Sequence, residues 1–114
     1  MEKHFEKIKT YLTRMRNVTY EILIEEDNII QFEIRNKYYE KLFTIHYSDM
    51  TTNTSIGGQH NPRPMWHHYF LQFEQDLVPD VRHQCFCTVT EWKWYLGEDD
   101  VLYRIKTLKN RYKY

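Results

Sequence analysis

Both cysteines and four of the six histidines fall in one stretch of the chain: His60, His67, His68, His83, Cys85 and Cys87. Four such donors can close on a zinc ion, with Zn–N and Zn–S bonds of about 2.0–2.3 Å. On one extended strand, however, His83, Cys85 and Cys87 span roughly 13 Å, so all three reach one ion only across a bulge. Two of them would need completion by His60, His67 or His68 from a neighbouring element. A zinc-binding or metal-dependent protein with His67, His83, Cys85 and Cys87 as ligands is therefore one expectation. The competing one treats the cysteines as small buried hydrophobes. Separated by one residue on an extended strand, Cys85 and Cys87 would have Cα atoms roughly 6.6 Å apart, at the outer limit for a disulfide. With no secretory leader legible, reduced thiols in a cytoplasmic protein are expected.

Acid–base chemistry offers less. Pro79-Asp80 with Glu91-Trp92-Lys93 resembles the PD-(D/E)xK pattern of nucleases, which implies an acidic pair holding Mg²⁺ and a lysine at the scissile phosphate. On a single strand Asp80 and Glu91 stand roughly 35 Å apart, too far to share an ion, and no turn residue between 81 and 90 folds the segment back. No GxSxG elbow is present, and neither cysteine sits in a nucleophile motif. The C-terminus interleaves Trp92, Trp94, Tyr95, Tyr103 and Tyr112 with Arg104, Lys106, Lys109, Arg111 and Lys113. Aromatic faces stack bases and cations neutralise phosphates, so a nucleic-acid-binding helix using Arg104, Lys109 and Arg111 is a second expectation. Sixteen basic against sixteen acidic residues give a formal net charge of zero, which weighs against a dedicated nucleic-acid binder.

These side chains need elements to hold them. Residues 18–47 alternate at period 2 and read as a three-stranded antiparallel meander. Ile24 is expected opposite Ile30, Ile22 opposite Phe32 and Tyr20 opposite Ile34, across a three-residue loop with Asn28 left-handed. A turn at Asn36-Lys37 then places Ile34 opposite Tyr39 and Ile30 opposite Phe43, with Lys41 interrupting an otherwise apolar face. Phe5, Ile8, Leu12 and Met15 predict a helix over 2–16, and Val101, Ile105 and Leu108 another after Gly97. Trp66, Phe70, Phe73 and Leu77 make a helical stripe over 64–78, begun by Pro64 and ended by Pro79. MWHHYFLQF also reads as an aromatic strand. Residues 81–96 read as a long strand, with Trp92 and Trp94 on one face and Glu91 and Lys93 on its wet face.

The expected fold is thus a single α+β domain over 1–114. An antiparallel sheet, the three-stranded meander plus a later strand, is covered by helices in the order α-β-β-β-α-β-α. No apolar run reaches the ~20 residues of a membrane span. Residues 48–64, rich in Ser, Thr, Asn, Gly and Pro, exceed the length of a simple connection and read as a binding loop.

Together these features predict a small non-enzymatic protein-binding module, inhibitor-, immunity- or chaperone-like, with no cofactor. Its contact residues are expected at Ile56, Gln59, His60, Arg63 and Trp66, with the acidic turn Glu26-Asp27 as a second patch. Its partner is expected to be another protein, and homodimerisation through a sheet edge or the last helix fits the same profile.

Overall fold

The computed structural model describes residues 4–37, 39–48, 68–77 and 88–111. Helix α1 (Glu6–Arg14) precedes five strands, β1 (Thr19–Glu25), β2 (Ile29–Arg35), β3 (Tyr39–Tyr47), β4 (Tyr69–Leu77) and β5 (Thr88–Tyr95). Helix α2 (Glu98–Arg111) closes the order. The strands form one sheet in sequence order, each antiparallel to the next. This corrects the sequence expectation: the order is α-β-β-β-β-β-α, and the segment 69–77 is a strand rather than part of a helix.

The reason lies in the partner strand. Tyr69, Leu71 and Phe73 alternate with Phe70, Gln72, Glu74 and Asp76, and all nine residues of β4 pair with the nine of β3. The spacing of Phe70, Phe73 and Leu77 satisfies a helix locally, but in the sheet Tyr69, Leu71 and Phe73 are buried together. Strand preference is decided by such cross-strand packing more than by local sequence.

Both helices cover the same side of the sheet. Phe5, Ile8 and Leu12 from α1 and Val101, Ile105 and Leu108 from α2 join Ile30, Phe32, Ile34, Phe43, Ile45, Leu71 and Phe73 in one core. Phe32 lies stacked on Phe43 at 5.1 Å, and Phe43 meets Phe73 at 4.9 Å, which runs an aromatic row across three strands. Burying each such ring contributes on the order of 2–3 kcal/mol.

Two expected registers shift. Ile22 and Tyr20 do face Phe32 and Ile34, but a bulge between Ile22 and Ile24 puts Ile24 opposite Gln31 and Glu25 opposite Ile30. Glu25 therefore turns to the helix side, where it accepts a 2.5 Å hydrogen bond from Lys9 Nζ. The Glu26 amide donates to the Ile29 carbonyl at 2.9 Å, closing a tighter turn than expected. Asn28 is not left-handed; among the described non-glycine residues only Asn17 has positive φ, at 65°, between α1 and β1. At the second hairpin Ile34 faces Lys41, Phe32 faces Phe43 and Ile30 faces Ile45. The Asn36 amide donates to the Tyr39 carbonyl, so the turn closes between Asn36 and Tyr39, one position later than expected. A slip of two keeps every side chain on its face, which is why the apolar pattern alone does not detect it.

Lys41 explains its own interruption of the apolar face. It is fully buried, and its ammonium donates to the Leu108 carbonyl at 2.7 Å and to the Lys109 carbonyl. These belong to the last turn of α2, whose carbonyls lack intrahelical partners and carry the negative end of the helix dipole. Glu98 does the converse for α1. Phe5 at that N-terminus supplies no side-chain cap, and Glu98 Oε2 accepts from the Ile8 amide at 2.9 Å.

Candidate functional site

Alternation along the strands sends a second set of side chains to the opposite side, where among the described residues no helix lies. Pairing orders them into rows. At one end Ile29, His46, Phe70 and Trp94 lie side by side on successive strands, and the next row is Gln31, Thr44, Gln72 and Trp92. Beyond these come Glu33, Leu42, Glu74 and Thr90, then Arg35, Glu40 and Asp76.

The rows divide the face chemically. Phe70 makes an edge contact with Trp92 at 6.3 Å and a tilted one with Trp94 at 5.1 Å, while His46 lies 6.3 Å away. Trp92 remains 62% exposed. An exposed indole held by neighbouring rings offers a large contact area at small cost in side-chain entropy. In the middle Gln31 Nε2 donates to Thr44 Oγ1 at 3.0 Å and Gln72 Nε2 to Glu74 Oε1 at 3.2 Å. The far rows, with Glu21 on β1 opposite Glu33, are acidic. Among the described residues of this face the carboxylates are Glu21, Glu33, Glu40, Glu74 and Asp76, and the one cation is Arg35. Arg35 bridges Glu33 at 2.8 Å and Glu40 at 3.2 Å.

The face thus pairs an aromatic corner with an acidic field and has a ladder of amide and hydroxyl groups between them. It can desolvate an apolar side chain and attract cations. A hollow of about 690 Å³ lies elsewhere, beside Asn17, Thr19, Arg35, Asn36 and Lys37. It is shallow and open.

The predicted site residues are distributed differently. Glu26 and Asp27 are exposed in the β1–β2 turn, at the Ile29–Trp94 end of the sheet but on its far edge. Ile56, Gln59, His60, Arg63 and Trp66 lie outside the described residues, as do His67, His83, Cys85, Cys87 and Asp80. The chain that carries the 48–64 stretch leaves the sheet at Ser48 and returns at His68, whose carbonyl accepts from the Ser48 amide at 2.7 Å. Among the described residues no group of three or more His, Cys, Asp or Glu side chains is placed to hold a metal. No helix among them is long and apolar enough to cross a membrane.

The cations expected to meet nucleic acid sit in the helical layer. Arg104 Nε donates to Glu91 Oε1 at 2.8 Å, and its Nη2 donates to the other carboxylate oxygen. Lys109 lies over the Tyr11 ring at 5.4 Å, and the Arg111 side chain is outside the described residues. Glu91 and Lys93, expected on the wet face, point to the helix side, and Trp92 and Trp94 take the uncovered one. The sequence reading missed Phe70, Trp92 and Trp94 as a cluster. Their signal was the polar alternation Gln72, Glu74, Asp76, which marks 69–77 as a strand with a wet face. Comparison with protein-family models, curated proteins and solved structures gives no match.

Proposed function

We propose that this chain is a non-enzymatic protein-binding module that holds a segment of another protein on the open face of its sheet. The partner segment brings an aromatic or aliphatic side chain to the Phe70–Trp92–Trp94 corner and Lys or Arg to the acidic rows. The carrying observation is Trp92, largely exposed yet braced by Phe70. Interface anchors are characteristically Trp, Tyr and Arg in such settings. The surplus of carboxylates supports a basic partner and opposes a phosphate backbone on this face.

Arrays of short peptides of varied charge and aromatic content test the reading when probed with purified protein. Bound peptides are expected to combine Lys or Arg with an apolar anchor. Trp92→Ala is expected to weaken them by about 2 kcal/mol or more. Peptides bound equally by wild type and Trp92→Ala, or selection of acidic peptides, would overturn it.

A further inference from the structure

Among the described residues β5 has a neighbour on one side only, and its free edge has features that suit a second copy of itself. On the helix side β5 carries Val89, Glu91, Lys93 and Tyr95; on the open side, Thr90, Trp92 and Trp94. A two-fold axis makes an interface isologous, so the strand must match its own reverse. Partners must also share a face, which leaves registers centred on a residue. Centring on Glu91 or Lys93 sets like charges against each other. Centring on Trp92 sets Glu91 against Lys93 of the other copy and Lys93 against its Glu91. It also pairs Val89 with Tyr95, Thr90 with Trp94, and Trp92 with its own counterpart. This register uses the strand from Val89 to Tyr95 with no like-charge pair.

The flanks agree. Trp92 at 62%, Leu96 at 53% and Tyr103 at 73% exposure are three of the most exposed large hydrophobic side chains. Leu96 and Tyr103 line a depression of about 420 Å³ with Lys93, Trp94, Tyr95 and Arg104 along this same edge. Lys93 is itself exposed, 5.7 Å from the Tyr95 ring centroid. Glu91, although engaged by Arg104, has acceptor capacity beyond a bidentate pair. The opposite edge lacks this match, because the bulge after Ile22 breaks the regularity of β1, and bulges discourage edge pairing.

We propose that two copies join antiparallel through β5, with the axis at Trp92, to form one continuous ten-stranded sheet. The two open faces then merge into one surface with both aromatic corners near the axis. The proposal shares Trp92 with the peptide-docking reading, but Lys93 is on the helix side, so its substitution tests the pairing while leaving the open face intact.

Sedimentation equilibrium of the full chain is the test, with wild type expected to reach twice the chain mass as concentration rises. Lys93→Glu converts two attractive pairs per dimer into repulsive ones and is expected to weaken association about tenfold or more, with unchanged far-UV circular dichroism. Lys93→Ala decides between pairing and gatekeeping: a lysine that merely blunts the edge predicts tighter association on its removal, whereas the paired lysine predicts weaker. In the Trp92→Cys variant, oxidation is expected to link residue 92 to its counterpart, read by peptide mapping. The equivalent link is not expected for Thr90→Cys, since Thr90 faces Trp94. A wild type that is monomeric throughout, an association unmoved or strengthened by the Lys93 variants, or a 90–90 link in place of 92–92 would each overturn the proposal.

Discussion

Two ionic side chains, fully buried Lys41 and half-buried Glu98, hold backbone groups at the ends of the two helices. Lys41 is anchored in the central strand and donates to the end of α2, with the Tyr39 ring 4.2 Å from its ammonium. Lys41→Met keeps the apolar stem but leaves the carbonyls of Leu108 and Lys109 without this donor. It is expected to cost about 1–3 kcal/mol in chemical denaturation. Burial raises the Glu98 carboxyl above its ordinary value of 4.5, offset in part by the amides of Ile8 and Lys7. The folded protein therefore binds this proton more tightly than the unfolded chain. As pH rises through 4.5 and the raised value above it, the Glu98 contribution falls, then stays level once both states are ionised. Glu98→Gln keeps an acceptor and removes the titration, so its stability curve is expected to lack that decline. Glu98→Ala loses the cap as well, at about 1 kcal/mol. Denaturation midpoints across mildly acid pH check both, and a Glu98→Gln profile parallel to wild type would contradict the assignment. Lys41 was legible as an anomaly in an apolar alternation; its carbonyl partners, 67 and 68 residues away, were not.

At the level of elements, periodicity reported the parts that depend on neighbours in sequence. It gave α1, the three strands of residues 19–47 and α2, because their stripes and alternations are unambiguous. It failed over 69–77, where aromatic spacing fits both periods and pairing with Tyr39–Tyr47 decides. It also missed the bulge in β1: Ile22, Leu23 and Ile24 are all apolar, so nothing in the pattern marks which one is extra. The bulge has a direct test. Removing Leu23 joins Ile22 opposite Phe32 to Ile24 opposite Gln31 without moving any other pair. Deletion of Leu23 is thus expected to shift the denaturation midpoint only slightly. In the unbulged register the same deletion would turn Ile24 and Glu25 to the wrong faces and unfold the hairpin. Severe destabilisation would therefore count against the structure's register.

For the whole molecule, the asymmetry between the two sides of the sheet carries the functional account. Two short helices suffice to bury one face, and the other keeps an aromatic corner beside an acidic field. Half of this site was legible: Trp92 and Trp94 share a face in any strand reading of 88–95. The other half was not, because Phe70 joins them only once β4 pairs with β5, and Glu33, Glu40, Glu74 and Asp76 come together only across three strands. The most direct test of the docking face is an NMR titration with a basic, aromatic-anchored peptide. The indole N–H signals of Trp92 and Trp94 and the side-chain amides of Gln31 and Gln72 are expected to shift together, while the backbone amides of α1 and α2 stay in place. Shifts confined to the helices, with both indoles unmoved, would contradict docking on this face.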